Sequence, residues 1–188
     1  GEIASLVLID PITRSKAASV LLSFEEAGVL ELDPKDERTD SIVQLIQGAK
    51  QEALHTTLGS LMRDESAAVR EVSVKLTRFL KDPKAVANSL RRVATEERAS
   101  AVQIAALKAL ADIEPDRLVN VLVEVFTDTS LAGVGGRDVV DTARELMHER
   151  LSREEIEQVE AGIKAKEEQR DAALDRFSGD VEWWRHDL

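Results

Sequence analysis

Cysteine is absent from this chain of 188 residues, which excludes disulfides, thiolate metal sites and cysteine nucleophiles together. Tyrosine is absent as well, and aromatics make up only 3% of the residues, so Ala, Val and Leu must fill the core. No apolar run approaches the roughly 18 residues that a membrane span needs. Three histidines (His55, His148 and His186) leave little material for a metal centre. The opening GEIASLVLID lacks the basic n-region of a signal peptide. These absences lead to the expectation of a cytoplasmic protein that needs no cofactor. With 43% hydrophobic and 32% charged residues the composition is that of a folded chain, long enough for one well-buried domain.

What is present is a repeat. AAVREVSVKLTRFLKDPKAVANSLRRV begins at Ala67, and SAVQIAALKALADIEPDRLVNVLVEVF begins at Ser100. With Val69 set on Val102, a shift of 33 residues, Val72 falls on Ala105, Val74 on Leu107, Leu76 on Ala109 and Leu80 on Ile113. Pro83 and Pro115 open the next segment. After a one-residue slip, Val86, Leu90 and Val93 fall on Leu118, Leu122 and Val125. A supersecondary unit recurring at such a period signals a repeat architecture.

Each copy reads as helix, tight turn, helix. Apolar residues recur at three- and four-residue steps, while Arg70, Lys75, Arg78 and Lys81 cover an exposed arc of the first helix. The prolines suit the first turn of a following helix, where the missing N–H costs nothing, and would disrupt a continuous one. One helix pair cannot bury both its faces, but stacked neighbours can.

The pattern Val69, Arg70, Val72, Leu76, Leu80, and again Val102, Ala105, Ala109, Ile113, resembles the HEAT-repeat family, particularly its short bacterial form. Gln103 stands where that family usually has Arg, which breaks the expected Arg ladder. A weaker third copy starts at Val140, with Ala143, Met147 and Leu151. The resemblance implies an all-α fold, an α-α superhelix of about four to five helix pairs. Its expected divisions are a divergent N-terminal repeat over 1–63, clear repeats over 64–95 and 96–127, a weaker one over 136–178, and a tail over 179–188.

Elsewhere, Ile3 to Ile9 and Arg14 to Leu30 read as helices, with Gly28 ending the second. Ile42, Val43, Leu45 and Ile46 are expected to be buried, followed by a break at Gly48 and a further helix with Leu54, Leu58 and Leu61 on one face. Ser152 and Glu155 form a capping box that opens a long, mostly solvated helix. Ile156, Val159 and Ile163 are its only seam, too short for a coiled coil.

Charge is segregated. Residues 1–65 carry −6, 66–95 carry +5, 96–136 carry −4 and 137–188 carry −6. On the basic segment Lys84, Asn88, Arg91 and Arg92 share one side of a helix. They form either a docking patch for an acidic protein or a solvated face paired with acidic neighbours from adjacent repeats. Trp183 and Trp184, adjacent near the terminus, either fold back on the last helix pair or anchor a partner. Glu145 and His148 have the ExxH spacing of di-iron bundles, but a site needs two such pairs, so they read as a surface pair. Gly133 to Gly136 precede a helix and lack the Lys-Ser/Thr of a P-loop, so they read as a flexible loop between repeats.

No pair of carboxylates is singled out for acid–base chemistry. The expectation is therefore a non-catalytic protein-interaction module. Two alternatives come from the resemblance: nucleic-acid binding, as in the HEAT-like DNA alkylation-repair glycosylases, and an accessory role like that of bilin lyases with HEAT-like repeats. One basic segment between acidic ones argues against nucleic acid, which demands a broad basic surface.

Overall fold

The computed structural model describes Ser19 and residues 22–185; the side chains of Val134 and of residues 175–185 lie outside that description. The expected helix over Ile3 to Ile9 and the start of the one from Arg14 fall outside it. Residues 22–26 are helical, and Gly28, at φ 67°, takes the left-handed conformation that closes this segment. The 3-10 turns Val29–Glu31 and Glu37–Thr39 follow. Then come α1 (Asp40–Gly48), α2 (Gln51–Leu61), α3 (Ala67–Lys75), α4 (Ala87–Glu96), α5 (Ser100–Ile113), α6 (Pro115–Thr127), α7 (Val134–Arg150) and α8 (Arg153–Arg185). The described residues are all-helical, and none of these helices is long and apolar enough to cross a membrane.

Packing is repeat-like and skips a helix: α3 lies on α5, α4 on α6, α5 on α7, and α6 on α8. Two staggered layers result, the arrangement of a generic α-solenoid. The core runs between them. Leu90, Ala106, Leu107, Leu110, Leu118, Val121 and Leu122 are fully enclosed. Each buried Leu or Val contributes about 1.5–3 kcal/mol, so one helix pair alone would leave most of this stabilisation unrealised. Among the described aromatics only Phe79 is fully buried, in keeping with an aliphatic core.

Local chemistry explains where the two copies differ. α5 runs unbroken for 14 residues, but α3 stops at Lys75 and tightens into a 3-10 turn, Leu76–Phe79. Buried Ser73 and Thr77 donate their hydroxyls to the carbonyls of Val69 (2.6 Å) and Val74 (2.7 Å). Such back-bonding competes with the helical ladder. One repeat on, the same positions are Ala106 and Leu110, both good helix formers. Pro115 sits at the start of α6 as expected, whereas Pro83 opens a 3-10 turn, Pro83–Val86, ahead of α4.

Several expectations are corrected in detail. Arg70 and Lys75 are half-buried rather than exposed. Leu45 is 36% exposed, and Ile42 and Ile46 carry the packing of α1. On α7 the buried face is Val139, Ala143 and Leu146, while Val140 and Met147 are half-buried. α7 starts at Val134, not Gly136, and Gly136 is a packing residue: a Cβ there would lie 2.2 Å from the Leu131 carbonyl oxygen.

The Ser152–Glu155 capping box is formed at α8. Ser152 donates its N–H to Glu155 Oε2 (2.8 Å), and Glu155 donates its own N–H to Ser152 Oγ (3.3 Å). Val159 is fully buried, Ile156 and Ile163 half so. Gly162 brings α8 onto α6 so closely that a Cβ would meet Val123 Cγ2 at 2.7 Å. From Lys164 to Leu174 every residue is exposed, and α8 continues to Arg185.

A candidate docking groove on the basic repeat

The basic segment spans α3, its 3-10 extension and α4, and the structure divides its cations into two groups. The first group ties neighbouring repeats together. Arg70 forms a bidentate pair with Glu97 (2.6 and 2.9 Å) and also donates to the carbonyls of Asp64 and Glu65. Burial alone would push the Glu97 carboxyl up; the Arg70 guanidinium and the N–H groups of Ala99 and Arg98 outweigh it and hold the group below the usual carboxylate range. Gln103, the residue one repeat after Arg70, instead donates to the Ala94 carbonyl at 2.9 Å from a fully buried position. Both side chains therefore pin the α4–α5 turn, in place of an Arg ladder. Arg91 pairs with Glu124 on α6 (2.6 Å), and Asn88 accepts from Arg117 (2.9 Å).

Thus two of the four patch residues expected from spacing, Asn88 and Arg91, are engaged with the next repeat. Arg92 is half-buried. Lys84 is exposed and lines a different feature. Trp183 and Trp184 sit on the last turns of α8, but their side chains lie outside the described residues, so neither fold-back nor anchoring is decided for them.

The feature that Lys84 lines is an open groove of about 840 Å³ on the α3–α5 side. Ala101, Ile104, Ala105 and Ala109 of α5 form an apolar floor, Glu71 and Lys75 of α3 with Arg78 of its 3-10 extension form one wall, and Leu30, Glu31 and Pro34 close one side. At its margin stand Arg78, Lys81, Lys84 and Lys108, all exposed. Among the described residues none of these four has a carboxylate within 4.0 Å.

The carboxylates of the groove are mostly taken. Lys75 is held by Glu25 (2.5 Å), Glu31 (2.6 Å) and Glu71 (3.0 Å), and Asp112 is held by Arg150 of α7 (2.8 Å). Burial opposes the charge on Lys75, yet the three carboxylates outweigh it and raise its pKa. The Lys75 hydrogen bond is also the main reason that the Glu31 carboxyl is held below its ordinary value, with Arg78 and Lys108 adding their field. Among the described groove carboxylates, Asp82 alone is in no ion pair. Of the four rim cations, Arg78 donates to the Leu30 carbonyl (3.4 Å) and lies over the Phe79 ring.

Sequence spacing alone missed Ala105, Ala109 and Lys108 as groove residues. A usable signal was there: alanines replace Val72 and Leu76 at repeat-equivalent positions, while the lysine is kept. Glu145 and His148 are both exposed on α7, and Gly135 meets Ser100, whose hydroxyl donates to the Gly135 carbonyl. Comparison of the chain with protein-family models, with curated proteins and with solved structures finds no match.

Proposed function

We propose that this chain is a non-catalytic protein-docking module of the HEAT-like solenoid type, acting in the cytoplasm and holding a partner protein in the α3–α5 groove. The observation that carries the reading is the combination of an apolar floor with four cations that have no internal carboxylate partner. Folding leaves such charges unpaired at little cost on a surface, and their field steers an acidic protein towards the groove. Asn88 and Arg91 are engaged by the next repeat and Arg92 is half-buried, so the docking face is centred on Arg78, Lys81, Lys84 and Lys108. Acidic flanks of −6 and −4 repel the phosphate backbone of nucleic acid, which favours a protein over DNA or RNA.

The test is a photo-reactive amino acid placed at Ala101 in the groove, and separately at Glu145 on α7, in cells of the source organism. The expected outcome is covalent protein adducts at Ala101 and none at Glu145, with the adducts lost when Lys81, Lys84 and Lys108 are changed to Glu. Adducts to nucleic acid, or none at Ala101, would refute the reading.

A further inference from the structure

The groove has a counterpart within the molecule, one repeat earlier. The shift of 33 residues places Lys108 on Lys75, Ala105 on Val72 and Ala109 on Leu76. In the first copy this face is closed. Val72 and Leu76 are 1% and 2% exposed, α3 packs against the Val29–Glu31 turn, and Leu30 of that turn is itself buried. Lys75 is clamped by Glu25 and Glu31, which stand on either side of Leu30 in the covering segment. In the second copy the corresponding face is open: Ala105 and Ala109 are half-buried, and Lys108 is exposed and unpaired among the described residues.

We infer, resting on the docking reading above, that the open α5 face takes from the partner protein an acidic helical segment with the chemistry of residues 22–31, an aliphatic anchor flanked by carboxylates. Lys108 receives those carboxylates as Lys75 receives Glu25 and Glu31, and Lys81, Lys84 and Arg78 extend the complementarity along the rim. Ala in place of Val and Leu leaves room on the floor for a larger anchor from outside. The walls decide the backbone form of the occupant. The floor (α5) and the α3 wall are helices whose N–H and C=O groups bond within themselves, so an extended segment laid along them would find no ladder partner, whereas a helix satisfies its own backbone.

The probe is an amidated synthetic peptide copying residues 22–34, titrated onto the full chain at low salt and followed through the backbone amide shifts of the protein. The expected result is binding that weakens with added salt, with shifts centred on Ala101, Ala105, Lys108 and Ala109. Lys108→Glu, checked by circular dichroism to be folded, should weaken it about tenfold or more, and a peptide with both flanking glutamates changed to Lys should not bind. Absence of binding, shifts on another face (α3 included), or equal affinity for the Lys108→Glu chain would overturn the inference. If the Ala101 cross-link still traps a protein while the peptide fails, the docking reading stands and only the chemistry of the occupant is refuted. Failure of both removes both.

Discussion

The two copies of the repeat share a register and differ in what covers them. The first is closed by the segment before it, through Leu30 on an apolar face and three carboxylates on Lys75. The second keeps the lysine, shrinks Val and Leu to Ala, and is left open. Equivalent positions in a repeat protein are thus divided between holding the stack together and facing outwards, and the division follows from what lies next to each copy. The helices differ in the same sense. The first copy buries hydroxyls that tighten α3 into a 3-10 turn, while the second is a regular, Ala- and Leu-rich helix at the centre of the core.

The largest expected effect tests whether the shared register is right. Val102, 1% exposed between the layers, should not tolerate a carboxylate. Val102→Asp is expected to cost on the order of 3–5 kcal/mol and to abolish cooperative melting, because the charge has no buried partner. A normal melting curve would break the alignment on which the comparison depends.

Arg70→Gln converts the first copy to the residue of the second. It removes a half-buried bidentate pair and leaves Glu97 alone, at an expected cost of about 1–3 kcal/mol in chemical denaturation. Because the folded Glu97 pKa is depressed, the stability it contributes is fully present above the ordinary glutamate value of 4.5 and is lost as pH falls through the folded value. The variant should therefore show a flatter loss of stability below about pH 4.5 than the parent. An unchanged acid limb would mean that Glu97 does not depend on Arg70.

The two lysines separate the closed face from the open one most directly. Lys75→Met strands three carboxylates near one another and should cost about 1–2 kcal/mol, a figure reduced for solvent screening at the exposed Glu31. Lys108→Met, the same change one repeat later, should stay within about 0.5 kcal/mol, because among the described residues Lys108 makes no ion pair and only adds its field at the exposed Glu31. Equal costs would erase the distinction between closed and open faces.

The smallest effect concerns the 3-10 turn. Ser73→Ala is expected to change stability by less than about 1 kcal/mol, since it removes one local back-bond and improves helix propensity. A loss well above that would give the hydroxyl a packing role that its single bond to Val69 does not account for.

Much of the fold was legible from residues. Val69 and Val102, Val74 and Leu107, and Leu80 and Ile113 are all buried where the 33-residue shift placed them. Gly28, Pro115 and the Ser152–Glu155 box sit at the helix ends where their backbone chemistry put them. These features are local, and local rules reach them. The roles of Arg91 and Gly162 were not legible, since each is fixed by a neighbour more than thirty residues away, and neither was that of Ala105, which lines a groove built from several elements. Spacing placed Arg91 correctly beside Asn88 and Lys84 but could not register that Glu124, on the next repeat, would occupy it.

By itself the sequence determined the helical repeat, its period, the position of the basic segment and the aliphatic character of the core. Helical periodicity and capping act over three or four residues, so they survive without knowledge of the fold. Only the tertiary structure decided which lysine is clamped and which is free, which cations tie repeats together, and which alanines floor a groove. Those outcomes depend on what stacks against each helix face, and a repeat whose faces are chemically alike can be closed on one copy and open on the next.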